Sequence, residues 1–193
     1  MTQTLSEIVN DDKELVFMSD DAPSSYTLQD DEQIGFVFPV YWYGLPTVVL
    51  RFLSRLTLKG TDKPYVYGFV TYGIYAGNVM NMLEKELRKK NLILQGRFGV
   101  KMVDNYVVGY DLPSKEQQKE IFSKARADFE NILPSIEKKE NTTILETGPL
   151  GFLMPVTHYF YKHKKHNHFS VTDSCTGYGK GTQKRKRYSL KDI

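Results

Sequence analysis

The sequence predicts an α/β fold, in which a parallel sheet carries helices on both of its faces. Three short apolar runs, rich in β-branched and aromatic residues, are typical of buried strands: Ile34–Phe38, Tyr65–Thr71 and Phe98–Met102. The segments between these runs are long enough for helices, and strands that alternate with helices return over the sheet in parallel. We predict a fourth, weaker strand at Leu15–Met18.

Three segments between and after these strands have the period of amphipathic helices. The first, Leu45–Leu56, carries Pro46 near its start, where proline is favoured. The second, Asn78–Asn91, places its apolar residues on one face. We expect the third, Ser114–Leu133, to begin at a capping serine and to be interrupted by Pro134.

Composition and charge indicate one globular body with a basic tail. The chain has 193 residues, of which 40% are hydrophobic and 25% charged. From Lys162 onward nine Lys and Arg residues stand against two Asp, a net charge of +7, whereas the 17 Lys and Arg and 21 Asp and Glu before it give −4. We therefore predict a folded domain over residues 1–140, then a helical linker and basic tail over residues 141–193.

The sequence has no long apolar segment and no secretory leader. No stretch reaches the roughly 18 to 20 apolar residues that a membrane-spanning helix needs, and the first 20 residues lack a basic start followed by an apolar block. We therefore expect a soluble cytoplasmic protein with no membrane partner.

The loops that follow the three main strands are the predicted ligand site. Ligands of parallel α/β sheets bind at the carboxyl ends of the strands, which places the loops 39–44, 72–77 and 103–111 at one edge. The first loop has three adjacent aromatic residues, and the second has two tyrosines and two glycines. One interpretation is a planar aromatic ligand stacked on these rings, and the other is that the tyrosines pack on neighbouring loops.

Three segments carry a family resemblance: Phe36–Pro46, Tyr67–Asn78 and Val100–Tyr106. In this order and spacing they resemble the flavodoxin-like domain of bacterial flavodoxin–ferredoxin fusion proteins of anaerobes, over Leu15 to Ile193. The resemblance implies a flavodoxin-like parallel sheet and an FMN cofactor whose isoalloxazine ring lies between the two aromatic loops. The candidate cofactor-binding residues, Tyr75 included on its loop position alone, are Pro39, Val40, Tyr41, Trp42, Tyr43, Gly44, Thr71, Tyr72, Gly73, Tyr75 and Gly77. Asn105 and Tyr106 match a family motif without a role that we can assign.

The family's first strand and phosphate loop have no counterpart in this sequence. The loop is similar to FSGTGNS and cradles the FMN phosphate at a helix N-terminus. Here Met1 is followed at once by residues 2–11, which resemble the family's first helix. We therefore expect an N-terminally truncated sheet without its central strand, and FMN binding that is weakened by the loss of phosphate contacts.

The tail resembles a degenerate ferredoxin motif. Residues 171–185 match the spacing of four cluster cysteines, but only Cys175 is kept, while Tyr178, Gly181 and Arg185 stand at the other positions. Because a four-iron cluster needs four thiolates, we expect no iron–sulfur cluster and no metal site in this chain. The four histidines near the tail and the run Lys184–Arg187 are interpreted as solvated, and we do not expect nucleic acid as a partner.

These observations favour an FMN-associated electron-transfer protein with unidentified redox partners. An electron carrier is favoured over a substrate-specific enzyme, because the sequence holds no recognisable catalytic triad, nucleotide P-loop or carboxylate pair. Two alternatives stay open. One is a degenerate, non-redox interaction protein whose basic tail binds acidic surfaces, and the other is a flavin-dependent reductase that acts on a small substrate.

Overall fold

The computed structural model describes residues 14–61, 63–104 and 111–149. Its elements in chain order are β1 (Ser25–Leu28), β2 (Gln33–Pro39), α1 (Thr47–Arg55), β3 (Thr57–Gly60), β4 (Tyr65–Tyr72), α2 (Val79–Arg88), β5 (Gly96–Lys101), α3 (Lys115–Glu137) and β6 (Thr143–Ile144). A parallel sheet is formed by β2, β4, β5 and β6 in that spatial order, and β1 and β3 form a separate parallel pair. The predicted α/β class and its three main strands are confirmed.

The helices α1 and α2 cover one face of the sheet. Each presents an apolar stripe, because its buried residues recur at three- and four-residue intervals. Leu53 of α1 and Leu83 of α2 are fully buried with Val66 and Val70 of β4. This cluster is the larger of the two hydrophobic cores in the described part of the chain.

The helix α3 covers the opposite face. Phe129 and Ile132 of α3 pack against Phe69 and Phe98 of the sheet, and the rings of Phe69 and Phe129 meet edge-to-face with centroids 5.4 Å apart. The helix begins as predicted, since Ser114 forms a capping box in which its hydroxyl accepts from the Gln117 N–H at 3.2 Å. The sheet therefore has helices on both faces.

The prediction of a strand at Leu15–Met18 was wrong. These residues pair with no strand of the described part of the chain; Val16 and Met18 pack against the α1–α2 core, while the side chain of Phe17 is 76% exposed. The two strands that the sequence did not predict, β1 and β3, are four residues each and have mostly exposed or half-exposed side chains. Their pairing joins Ser25 to Thr57 across 31 intervening residues, so no local sequence pattern predicts it.

Two further differences concern the segment after residue 130. Pro134 does not interrupt α3, which continues to Glu137. A proline inside a helix removes one main-chain hydrogen bond at a cost of about 3 kcal/mol, but Ile132 and Ile136 on either side of it are each 1% exposed, and their burial holds the last turn on the sheet. The sheet then continues past residue 140, because β6 pairs with β5 at Arg97 and Phe98.

Candidate functional site

The loops that follow β2 and β4 lie side by side at one edge of the sheet, as the sequence predicts. The two strands are parallel neighbours, so their carboxyl ends meet. The Val40 N–H donates to the Thr71 carbonyl at 2.8 Å, and the Asn78 N–H donates to the Tyr43 carbonyl at 3.1 Å. These two hydrogen bonds tie the first loop to the second at both of its ends.

The first loop is a tight turn with strained backbone. Tyr41 and Gly44 exchange two main-chain hydrogen bonds, of 3.2 and 3.0 Å, and enclose Trp42 and Tyr43. Both enclosed residues have positive φ, 48° and 60°, which is the pattern of a type I′ turn. Asn-Gly is the usual pair in such turns, and a left-handed conformation costs a bulkier residue roughly 1–2 kcal/mol. Strain of this kind persists only where its surroundings hold it in place.

The second loop supplies that support through Gly77. This glycine has φ 61°, and a Cβ added to it would lie 2.5 Å from the Cβ of Tyr43. Glycine is therefore required there by its backbone conformation and by the close approach of the turn. The turn and the glycine loop are a single packed unit, and the two loops leave no gap for a ring between Tyr43 and Gly77.

The apolar side chains at this edge point partly into solvent. Tyr41 is 45% exposed, Trp42 is 43% exposed and Ile74, in the second loop, is 45% exposed. We call these three residues the aromatic edge. Apolar side chains that a strained turn keeps exposed to solvent are suited to cover a planar ligand or a partner surface.

Two of the predicted tyrosines contact the segment that follows α3. Tyr72 is 6% exposed, and its hydroxyl accepts from the Glu146 N–H at 3.1 Å, while burial raises the pKa of that hydroxyl. The ring of Tyr75 covers Gly148, where an added Cβ would come within 2.7 Å of it, and the neighbouring Ala76 N–H donates to the Glu146 carbonyl. Both tyrosines therefore anchor the segment 145–149 on the second loop.

The remaining predicted residues frame the loops. Pro39 is exposed at the end of β2, Gly44 is buried at the base of the turn, and Gly73 lies against Asp104. A Cβ at Gly73 would stand 2.5 Å from a carboxylate oxygen of Asp104, so the glycine allows the chain after β5 to reach the second loop. Asp104 lies in the third loop that the sequence places at this edge.

The contribution of residues 145–149 was missed by the sequence reasoning, which places them in a linker. Glu146 contacts the second loop through one main-chain hydrogen bond, in which its carbonyl accepts from the Ala76 N–H, and its own N–H donates to the Tyr72 hydroxyl. Main-chain contacts leave little trace in the amino-acid sequence. Gly148, which has φ 83°, is the one residue whose type the contact requires.

The described loop residues at this edge carry no cationic side chain. Residues 39–46, 72–78, 102–104 and 144–149 include no Lys, Arg or His, whereas Asp104 and Glu146 are acidic. Lys101, at the end of β5, is the nearest basic residue along the chain. The edge as described is therefore suited to neutral aromatic groups better than to phosphate, which needs cations or free amide donors.

Several predicted features lie outside the described residues. These are Asn105 and Tyr106 of the family motif, Cys175, the histidines and the basic tail. Within residues 14–61, 63–104 and 111–149, no three His, Cys, Asp or Glu side chains come close enough to bind a metal ion together. Over the same residues, no helix has both the length and the apolar character needed to cross a membrane.

Comparison of the chain with protein-family models, with curated proteins and with solved structures finds no match.

Proposed function

We propose that this chain is a flavodoxin-like electron-transfer protein whose aromatic edge holds the isoalloxazine ring of a flavin. The observation that carries the proposal is the strained turn from Tyr41 to Gly44, which displays two aromatic side chains at the carboxyl ends of the parallel strands. That position is where α/β sheets bind their ligands. FMN is the flavin that the family resemblance suggests.

The chemistry of electron transfer would belong to the flavin, and the protein would bind and orient it. Tyr41 and Trp42 would stack on the ring or meet its edge, and Ile74 would contact it from the second loop. The Tyr43–Gly77 contact closes the gap between the loops, so the ring would lie on their outer side. An aromatic pair contributes about 0.5–1.5 kcal/mol beyond the area that it buries.

The described loops fit the ring of FMN and do not fit its phosphate. The phosphate of FMN carries nearly two negative charges and needs several charge-assisted hydrogen bonds. The site loops offer acidic Asp104 and Glu146 and no cation. We therefore propose that the chain binds through the ring and that the phosphate adds little affinity.

Trp42 is the only tryptophan of the chain, so its fluorescence reports directly on the aromatic edge. The full chain is titrated with riboflavin and with FMN while Trp42 emission is followed, and N-acetyltryptophanamide serves as the control for light absorbed by the flavin. We expect saturable quenching by both flavins with similar dissociation constants. No quenching by either flavin would overturn the proposed function, whereas a large preference for FMN would overturn only the account of the phosphate.

A matched pair of variants locates the site. Tyr41→Leu should weaken flavin binding up to about tenfold, because the stacking energy of one ring corresponds to at most one power of ten in affinity. Phe122→Leu removes a comparably exposed aromatic ring, 48% exposed, from α3 and should leave binding unchanged. Equal effects of the two variants would contradict binding at the aromatic edge.

A further inference from the structure

The second loop is held on both sides of Ile74, the residue that it contributes to the aromatic edge. Before Ile74, Gly73 lies against the chain that follows β5. After it, the segment 145–149 contacts two consecutive residues, Tyr75 and Ala76. The position of Ile74, which is 45% exposed, therefore depends on how these neighbours are held.

Glu146 joins the segment 145–149 to the loop through its main chain. Its carbonyl accepts from the Ala76 N–H at 2.8 Å, and its N–H donates to the Tyr72 hydroxyl at 3.1 Å. Ala76 is fully buried, so its N–H depends on an acceptor from the protein. Leu145 adds an apolar contact, since its half-buried side chain packs against the α1–α2 core. The segment therefore supports the loop through both polar and apolar contacts.

Gly148 makes the contact with Tyr75 possible. It has φ 83°, and a Cβ added to it would lie 2.7 Å from Cγ and 3.1 Å from Cβ of Tyr75. Rotation of the ring about the Cβ–Cγ bond moves neither of these atoms, so a larger residue at 148 would displace the main chain of one partner. Glycine is required here by its backbone conformation and by this close approach.

The same loop supports the strained turn. Two residues after Tyr75, Gly77 approaches the Cβ of Tyr43, and the next residue donates its N–H to the Tyr43 carbonyl at 3.1 Å. Trp42 directly precedes Tyr43 and shares its positive φ. A displacement of Tyr75 would therefore move both parts of the aromatic edge, Ile74 in the loop and Trp42 in the turn.

We propose that the segment 145–149 positions the aromatic edge for flavin binding, and that Gly148 is the positioning residue on which this depends. The inference rests on the proposed function, because it names the support of that same site. A site whose groups are already in place loses less conformational entropy when it binds, and a site that is formed only part of the time binds in proportion to that fraction. Loss of the Gly148 contact should therefore weaken flavin binding without removing any group that touches the flavin.

The first experiment compares Gly148→Ala with Gly60→Ala. Gly60 lies in the β1–β3 pair, has φ 94°, and an added Cβ would overlap the Leu28 carbonyl oxygen, so this variant also strains a left-handed glycine. Both variants should unfold at lower urea concentration than the unaltered chain. Measured below the unfolding transition, the anisotropy of Trp42 emission should fall in Gly148→Ala only. The dissociation constant for riboflavin should rise about three- to tenfold in that variant only.

The outcomes separate this inference from the proposed function. Unchanged Trp42 anisotropy in Gly148→Ala, or equal changes in both glycine variants, would overturn the positioning role whether or not riboflavin binds. Absence of riboflavin binding by the unaltered chain would overturn the proposed function, while a fall in anisotropy confined to Gly148→Ala would still support positioning of the turn by the segment 145–149.

The second experiment does not require an alanine at positive φ. Tyr72→Phe keeps a buried ring and removes the acceptor of the Glu146 N–H, whereas Tyr65→Phe removes a hydroxyl bond of 2.8 Å at the other end of β4. Hydrogen exchange of the Ala76 N–H, which is bonded to the same segment, should be about fivefold faster in Tyr72→Phe and less affected in Tyr65→Phe. Trp42 anisotropy should fall in Tyr72→Phe alone. Equal exchange rates in the two variants, or faster exchange with unchanged anisotropy, would overturn the proposal.

Discussion

The two ends of β4 each carry a buried tyrosine, and the surroundings of the two residues differ. At the start of the strand, the Tyr65 hydroxyl donates to the Glu140 carbonyl at 2.8 Å, and its ring lies 6.0 Å from that of Tyr67. At the end, the Tyr72 hydroxyl accepts from the Glu146 N–H at 3.1 Å. Both tyrosines thus hold the chain that follows α3 against the sheet.

The surroundings of the two tyrosines differ. We call the start of β4, at Tyr65, the structural end, and the end of β4, at Tyr72, the candidate functional end. At the end of the sheet where Tyr65 lies, single residues at positive φ follow the two helices, Asn91 (59°) after α2 and Lys139 (56°) after α3, which is a common way for a helix to end. Near Tyr72 the turn after β2 holds Trp42 and Tyr43 at positive φ, and apolar side chains are left exposed. Two consecutive aromatic residues held at positive φ outside a helix end are a cost that a function would explain and stability would not.

The largest expected effect comes from breaking the contact that holds the strained turn. Gly77→Ala forces an alanine to φ 61° and places its Cβ against Tyr43, which we expect to lower the free energy of unfolding by about 3 kcal/mol. Gly77→Asn should cost less, because asparagine tolerates positive φ while its Cβ still meets Tyr43. Urea denaturation of both variants measures these losses.

A double variant measures the part of this contact that the Tyr43 side chain contributes. Tyr43→Gly removes the Cβ that Gly77→Ala would meet but keeps the carbonyl oxygen at 2.7 Å, so the alanine should cost somewhat less in that background and should still destabilise. If Gly77→Ala leaves stability unchanged, the close approach of the two loops is not what holds the turn.

The next effect has the opposite sign. Trp42→Asn puts a residue that favours left-handed backbone at the first central position of the turn, and we expect it to raise the free energy of unfolding by about 1–2 kcal/mol. The same change removes the most polarizable ring of the aromatic edge and should weaken riboflavin binding, measured by flavin fluorescence. Higher stability with unchanged binding would break the link between strain and function at this end.

The fold could be predicted where one local pattern decided the outcome. Apolar runs predicted β2, β4 and β5, and helical spacing predicted α1, α2 and α3, because each of these elements buries one face in the core. The segment Leu15–Met18 has a composition suitable for a strand but pairs with no strand among residues 14–61, 63–104 and 111–149, whereas the polar β1 and β3 pair with each other. The pairing of β1 with β3 cannot be predicted from the sequence of either segment alone.

The candidate site was predictable in position but not in conformation. Parallel strands place their following loops at one edge, which is why the aromatic and glycine loops were expected together and are found together. Nothing in the run from Tyr41 to Gly44 predicts positive φ at a tryptophan and a tyrosine, since both residues disfavour it. That conformation depends on Gly77, more than thirty residues later in the chain, and the anchoring of residues 145–149 depends on main-chain bonds that composition does not reveal.

The smallest expected effect tests the structural end of β4. Tyr65→Phe removes the donor to the Glu140 carbonyl, and we expect a loss of about 1 kcal/mol at neutral pH. Burial, assisted by Tyr67 and Glu140, raises the pKa of Tyr65 to about 12, above its ordinary value of 10.0. Since the neutral hydroxyl is the form that the folded protein favours, its stabilising effect is complete below pH 10 and is lost as the pH rises from 10 toward 12. Urea denaturation from pH 8 to 11 should show a decline in stability that is shallower in Tyr65→Phe. Identical slopes for the two proteins would mean that Tyr65 titrates normally and that this end of the strand is less closed than its hydrogen bond indicates.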